Sequence, residues 1–204
     1  MITKFFHRDG SWRDLQKNIL DFLAPQQTTP EQEILESNQH LFFKTLGSDF
    51  SKHSHLTYQM LPEPLKKKVS GNIENQCHDV AIDIISFFPE RFYLVWGFVD
   101  WYSKQNNKDT YGGTFCHSFL LEKDSGAILD PILLKISAGL SIHRGTTQNH
   151  FGVIISKDRL FNFLFEELPK NMPSNNNFCG HILQNIFTNT DSTKRFITEI
   201  QNNT

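Results

Sequence analysis

A cysteine, a histidine and an aspartate follow one another along this chain in an order that suits nucleophilic chemistry. Cys77 and His78 stand immediately before the run "DVAIDIISFF", whose apolar residues recur at helical spacing. His117 lies in an apolar, aromatic run typical of a strand, and Asp130 precedes a proline in the run that follows. A thiol reacts as its thiolate, and a helix N-terminus or a neighbouring imidazole lowers the pKa of a cysteine. A carboxylate on the far side of the imidazole fixes its tautomer and orientation, so these residues form a candidate Cys–His–Asp triad.

The two runs that hold His117 and Asp130 flank the polar segment "EKDSG" and predict a β-hairpin over 114–133. If the hairpin loop holds two or four residues, the two side chains project from the same face as near-diagonal neighbours. An odd loop would place them on opposite faces unless a bulge restores the alternation. The spacing therefore permits the triad.

The start of the cysteine helix also offers donors for an oxyanion. The backbone N–H of Cys77 is one donor, and a side-chain amide just before it would be a second. The candidates for that amide are Gln76, Asn75 and Asn72. Gln76 is favoured because it directly precedes the cysteine.

The elements that must position these residues follow from the spacing of apolar residues. Helices are predicted over 11–24 and from an N-cap at Thr29 through Leu46, then a polar loop over 47–75 with room for one short helix. A helix begins at Cys77 and stops before Pro89. Strands follow over 91–102, in the hairpin and over 150–156, with a polar loop over 103–113. A helix over 156–168, a loop, and one or two short helices complete the chain.

Helices in front of a mostly antiparallel sheet indicate an α+β fold class. Residues 1–70 are predicted to be a helical N-terminal extension of a domain over 71–204, unless the two form one continuous domain. Within the domain, Trp96, Cys116 and His150 are candidates to line a cleft beside the triad. Cys116 is also interpreted as the packed member of the pair that it forms with His117, and His78 is predicted to face away from the partner of Cys77.

Composition excludes several classes of function. The net charge is −2, with 20 basic and 22 acidic residues, and the longest basic run is the lysine trio at 66–68, so nucleic acid is not an expected partner. No apolar run is long enough to span a bilayer, and the first residues lack the apolar core of a signal peptide. We therefore expect no membrane partner and a cytoplasmic location. Delivery into another cell by a route without a cleavable signal peptide fits equally well.

The three cysteines, Cys77, Cys116 and Cys179, are too widely spaced to suggest a disulfide framework. Cysteine and histidine are adjacent at 77–78 and 116–117 and are separated by one glycine at 179–181, and two histidines flank a serine at 53–55. None of these pairs has the C-x2–4-C or H-x3–5-H spacing of structural zinc sites. The sequence predicts neither a metal nor a cofactor, and a metal-binding module remains an alternative.

An ordered set of short motifs resembles the papain-like and transglutaminase-like cysteine enzymes, and among them a group of small bacterial proteins. The motifs are Cys77 with Ala81 on its helix, "LVWGFV" at 94–99, "HSF" at 117–119, "LDP" at 129–131 and "HFGVII" at 150–155. The match covers about 72–165. It departs from the pattern at His78 and at Ile132, where threonine or tryptophan is usual.

The resemblance implies a papain/transglutaminase-like fold in which a nucleophile helix packs on the sheet. It implies that Cys77 is the nucleophile, His117 the base and acid, and Asp130 the residue that orients His117. Such enzymes act on a protein or peptide substrate through a thioester, with hydrolysis, deamidation or transamidation as the outcome. The alternative to an enzyme is a binding protein on the same fold, with the N-terminal helices as an interaction module.

Overall fold

The computed structural model describes residues 29–70, 77–105, 108–139, 145–156, 158 and 186–202. These residues form an α+β structure. Its helices are α1 (Pro30–Leu46), α2 (Glu63–Ser70), α3 (Cys77–Phe87), α4 (Pro131–Ser137) and α5 (Thr190–Gln201), with a 3-10 turn at Tyr58–Met60. Its strands are β1 (Ser48–Asp49), β2 (Phe92–Gln105), β3 (Lys108–Glu122), β4 (Ile128–Leu129) and β5 (Gly145–Ile155). None of the described helices has the length and apolar character needed to cross a membrane.

The sheet has the order β1-β5-β2-β3-β4, and all neighbouring strands are antiparallel. The long central strand β2 pairs with β3 on one side and with β5 on the other. The predicted polar loop over 103–113 is wrong, because β2 and β3 stay paired as far as Gln105 and Lys108. Polarity indicates exposure to water rather than irregular backbone, and a bulge after Trp101 carries the ladder onward.

The prediction for the start of α1 is confirmed. The hydroxyl of Thr29 accepts a hydrogen bond from the N–H of Gln32 at 3.3 Å, and Pro30 occupies the first position of the helix. Phe42 and Phe43 of this helix are buried, whereas Leu41 is 36% exposed. The predicted loop over 47–75 holds β1, the 3-10 turn and α2. Prolines there did not exclude a helix, because Pro64 lies in the first turn of α2, where its missing N–H costs little.

A hydrophobic core lies between the helices and one face of the sheet. Phe42 of α1 stacks on Phe196 of α5 with ring centroids 5.6 Å apart, and its ring also contacts Trp96 of β2. The same cluster holds the apolar face of α3, namely Val80, Ala81, Ile84 and Ile85. The described part of the first 70 residues therefore shares a core with α3 and the sheet.

The opposite face of the sheet is also buried. Val95 and Val99 of β2 and Phe119 of β3 pack there with Phe50, which follows β1. Because side chains alternate along a strand, Trp96 and Phe98 point to the helical side and Val95 and Val99 to the other. The predicted helices over 11–24 and 156–168 lie outside the described residues, whereas α5 confirms a helix near the end of the chain.

Candidate active site

Cys77 is the first residue of α3, which confirms the predicted start of this helix. The helix α3 ends at Phe87. The N–H of Phe88 still donates to the carbonyl of Ile84 at 2.9 Å, and Pro89 has no N–H with which to continue the helix. The first N–H groups of a helix have no partner within the helix, and they carry the positive end of its dipole. The thiol therefore lies where a negative charge is stabilised.

The hairpin brings His117 and Asp130 together as the even loop predicted. Leu120 pairs with Leu129, and the N–H of Glu122 bonds the carbonyl of Ala127, so the loop over 123–126 holds four residues. Continuing this register puts Asp130 diagonal to His117 on one face. The Nε2 atom of His117 lies 3.1 Å from Oδ1 of Asp130, and the two side chains are almost fully buried.

Asp130 itself is not in a strand, as the predicted second arm of the hairpin required. β4 ends at Leu129, and Asp130 is the N-cap of α4. Its Oδ1 accepts hydrogen bonds from the N–H groups of Ile132 at 2.9 Å and Leu133 at 3.2 Å. An aspartate followed by proline at the first helical position is a helix-start signal, which explains the short β4.

Each carboxylate oxygen of Asp130 meets one histidine. Oδ2 accepts a hydrogen bond from Nε2 of His150 at 3.1 Å. Oδ1 already accepts two backbone N–H groups, and the third donor, His117, is close enough for an ion pair but not aligned as a hydrogen bond. Burial raises the pKa of Asp130, but the charge of His117 and the contact with His150 outweigh burial and hold that pKa well below its ordinary value.

The side chain of Cys77 lies within electrostatic reach of the imidazole of His117. Because Nε2 of that ring faces Asp130, Nδ1 is the ring nitrogen left for the thiol. Burial raises the pKa of Cys77, but His117 and then His78 lower it, and together they bring it well below its ordinary value. Burial lowers the pKa of His117, while the charges of Asp130 and of the Cys77 thiolate raise it to about 10. Both directions favour a thiolate and an imidazolium over a neutral thiol and a neutral imidazole.

His78 does not face away from this pair, and that prediction was wrong. Its Nδ1 lies 2.6 Å from the hydroxyl of Ser118, and its ring lies within electrostatic reach of Cys77 and Cys116. Burial lowers the pKa of His78, but the contacts with Cys116 and Cys77 raise it to about 11. Cys116 is exposed rather than packed, which corrects the interpretation of the Cys116–His117 pair.

The first turn of α3 lies at an edge of β3. His117 and Ser118 point to opposite faces of the strand, yet Cys77 contacts the first and His78 bonds the second. Neighbouring helix residues can reach both faces only across an unpaired strand edge. β2 occupies one edge of β3 here, and in the described part of the chain β4 covers the other edge only at Leu120 and Leu121.

The three residues that were predicted to line a cleft have different positions in the structure. Cys116 contacts His78 at the site, whereas His150 is fully buried and holds Asp130 instead of lining a cleft. Trp96 is placed incorrectly by the sequence interpretation, because it stacks on Phe187 in the core with centroids 5.3 Å apart, on the face opposite His117. The oxyanion candidates Gln76, Asn75 and Asn72 lie outside the described residues.

Sequence reasoning missed His55 as a member of the site. Its ring packs edge-on against His150 with centroids 4.9 Å apart, and burial together with His150 lowers the pKa of His55. Backbone bonds from Leu56 to Ile128 and from Ile128 to Ser54 hold this segment beside β4. The two histidines at 53–55 were the available signal, but their spacing was weighed only for metal binding.

Within the described ranges, no group of three histidine, cysteine or acidic side chains is arranged to hold a metal ion. Nε2 of His117 faces Asp130, and Nδ1 of His78 faces the hydroxyl of Ser118. The pair at 179–181 lies outside the described residues.

Comparison with known proteins adds no relative to this picture. No family model, no curated protein and no solved structure matches the chain. The geometry around Cys77 is therefore the ground on which a function can be argued.

Proposed function

We propose that this chain is a cysteine-dependent acyl-transfer enzyme that acts on an amide or peptide through a thioester on Cys77. The observation that carries the proposal is the buried group of Cys77, His117 and Asp130, in which the imidazole pairs with the carboxylate at 3.1 Å and its charge acts on the thiol. This order of nucleophile, base and orienting group is the minimum for nucleophilic catalysis by a thiol.

In the acylation step, the Cys77 thiolate attacks the carbonyl carbon and forms a C–S bond, while the carbonyl electron pair moves to oxygen. The backbone N–H of Cys77 and the helix dipole stabilise that oxyanion. When the intermediate collapses, the C–N bond breaks and the imidazolium of His117 gives its proton to the leaving nitrogen. The products are a thioester on Cys77, a free amine and a neutral His117.

In the second step, neutral His117 takes a proton from water or from an amine as it attacks the thioester carbon. The new bond to carbon forms, the C–S bond breaks, and Cys77 leaves as thiolate beside a protonated His117. Water gives hydrolysis or deamidation, and an amine gives transamidation. Both routes regenerate the starting pair.

The charges around His117 suit this cycle. Its pKa is raised to about 10 by Asp130 and also by the Cys77 thiolate. When the thiolate attacks, its negative charge is lost from sulfur. The pKa of His117 therefore falls at the step in which His117 must give its proton to the leaving nitrogen. Asp130 stays, and it fixes the tautomer in which Nδ1 faces sulfur.

The arrangement also supports a papain/transglutaminase-like fold as part of the proposal. The nucleophile opens a helix that packs on an antiparallel sheet, and the histidine follows in a strand. The orienting carboxylate comes from a helix cap instead of a strand, at the same point of the chain.

The test is the reactivity of Cys77 toward iodoacetamide, with each cysteine quantified by peptide mass spectrometry. Cys77 is expected to be labelled well below the pH at which ordinary thiols react, and the same Cys77 peptide in urea-unfolded protein is the control. Purified protein is then assayed for cleavage of fluorescent casein, for ammonia release from glutamine peptides and for incorporation of dansylcadaverine. Cys77→Ser should abolish the positive reaction, whereas Cys116→Ser should leave it measurable. Equal, slow labelling of Cys77 in folded and in urea-unfolded protein would overturn the proposal.

A further inference from the structure

The imidazole of His78 has a fixed position beside the reactive sulfur. Ser118 is buried at 2% exposure, and its hydroxyl lies 2.6 Å from Nδ1 of His78. This anchor holds the ring beside β3, within electrostatic reach of Cys77 and Cys116. A residue next to the nucleophile on a helix is offset by about 100° and would otherwise point to a different neighbour.

Cys77 consequently lies between two histidines that come from two elements. His117 approaches from β3 on the face that carries Asp130, and His78 approaches from the helix itself on the face that carries Ser118. The titratable groups around the sulfur in the described residues are these two imidazoles, with Cys116 beyond His78.

We propose that His78 is a second catalytic histidine, held by Ser118 beside the nucleophile, whose positive charge stabilises the Cys77 thiolate together with that of His117. The inference rests on the proposed function and adds a division of labour to it. His117 faces Asp130 and exchanges a proton in each half of the cycle. His78 faces the hydroxyl of Ser118 and the cysteine side chains instead of Asp130, so its charge acts on sulfur and it takes no part in the proton relay.

The two histidines therefore predict different defects. Without His117 the general acid is lost, so turnover stops, but Cys77 keeps one cation and a part of its fast labelling. Without His78 the proton relay is intact, but a smaller fraction of Cys77 is thiolate below neutral pH. A charged hydrogen bond of ordinary strength corresponds to roughly tenfold to a hundredfold in that fraction.

The experiment measures the iodoacetamide rate of Cys77 at pH 6 divided by its rate at pH 9.5, followed on the Cys77 peptide. The ratio separates ionisation from access, since access affects both rates. His78→Asn removes the cation and leaves an amide within reach of Ser118, while Ser118→Ala keeps the imidazole and removes its anchor. His53→Asn is the matched control, because His53 is exposed and bonds only the carbonyl of Gly126 among the described contacts of its ring nitrogens.

We expect the ratio to fall roughly tenfold or more in His78→Asn, to fall by a smaller factor in Ser118→Ala and to stay unchanged in His53→Asn. His117→Ala should keep a higher ratio than the double variant His78→Asn/His117→Ala. An unchanged ratio in both His78→Asn and Ser118→Ala, with wild-type circular dichroism, would overturn the inference. If His78→Asn does not fold, Ser118→Ala decides alone.

These outcomes are distinct from a failure of the proposed function. If folded wild-type Cys77 shows the same ratio as Cys77 in urea-unfolded protein, the thiol is not activated and the proposed function fails. If wild-type Cys77 is activated and only His117→Ala changes the ratio, the proposed function stands and the role of His78 is refuted.

Discussion

Replacing Asp130 by asparagine tests the electrostatic centre of the site. Asparagine keeps a carbonyl oxygen that can accept the N–H groups of Ile132 and Leu133, so the cap of α4 survives. What it removes is the negative charge between His117 and His150. Any loss of stability then reports the histidine contacts and not the helix start.

The magnitude follows from His117. Burial lowers the pKa of this ring, yet Asp130 and Cys77 raise it from 6.5 to about 10. Because one pKa unit corresponds to about 1.4 kcal/mol, this rise represents about 5 kcal/mol of stabilisation of the protonated ring. Asp130 is the larger of the two favourable contributors, and we assign it about 3 kcal/mol, in line with the cost of removing one member of a buried ion pair.

The dependence on pH fixes the sign. Because the pKa of His117 is raised in the folded state, its protonation stabilises the folded protein fully below the unfolded pKa of 6.5. This stabilisation is lost as the pH rises toward about 10. The free energy of unfolding, measured by urea denaturation with circular dichroism, should therefore differ between wild type and Asp130→Asn by about 3 kcal/mol at pH 6. The difference should shrink steadily toward pH 10.

The matched control is Asp83→Asn. Asp83 pairs with Lys68 at 2.8 Å on the surface, with both side chains about a third to a half exposed, and such pairs contribute about 0–1 kcal/mol. A difference for Asp130→Asn that is no larger than this, or that stays constant from pH 6 to pH 10, would refute the ion-pair reasoning.

Three other predictions concern the same site. His150→Phe fills the space of the ring but removes the donor to Asp130, so the free energy of unfolding should fall by about 1–3 kcal/mol in urea titrations, and no loss would contradict a bond to the carboxylate. Gly97→Ala should lower the melting temperature severely, because a Cβ there would overlap the carbonyl of Phe151; wild-type melting in calorimetry would show that the strands are farther apart. The rate of thioester formation on Cys77 should fall above pH 10 as His117 loses its proton, and a stopped-flow profile that still rises there would exclude His117 as the acid.

The sequence could predict the triad because each of its signals is local. A helix boundary marks Cys77. A loop with an even number of residues, together with the alternation of side chains along a strand, puts His117 and Asp130 on the same face. The signal at Asp130 was ambiguous, since the pair Asp-Pro fits both a turn and a helix cap. The structure resolves it in favour of the cap while keeping the contact with His117.

The partners that the sequence could not supply depend on contacts between distant elements. His150 reaches Asp130 only through the register of β5 against β2, which passes through an irregularity after Phe98. Trp96 was assigned to the wrong face because both faces of β2 are buried there. The alternation of side chains along β2 shows which residues share a face, but it does not show which face carries the site. The prediction for His78 was wrong because the contact with Ser118 of β3 sets the direction of its side chain. The spacing of residues along a helix does not show how that helix packs against a strand.

The shortness of β4 has a consequence for the behaviour of the protein in solution. An unpaired strand edge invites pairing with another chain, and proteins commonly cover such edges with a helix or a loop. Here the first turn of α3 covers the edge of β3 at His117 and Ser118, so the contacts that activate the thiol also protect the strand. Variants that loosen this turn should therefore lose solubility together with reactivity, and selection for a soluble protein would act on the same few contacts as selection for an active one.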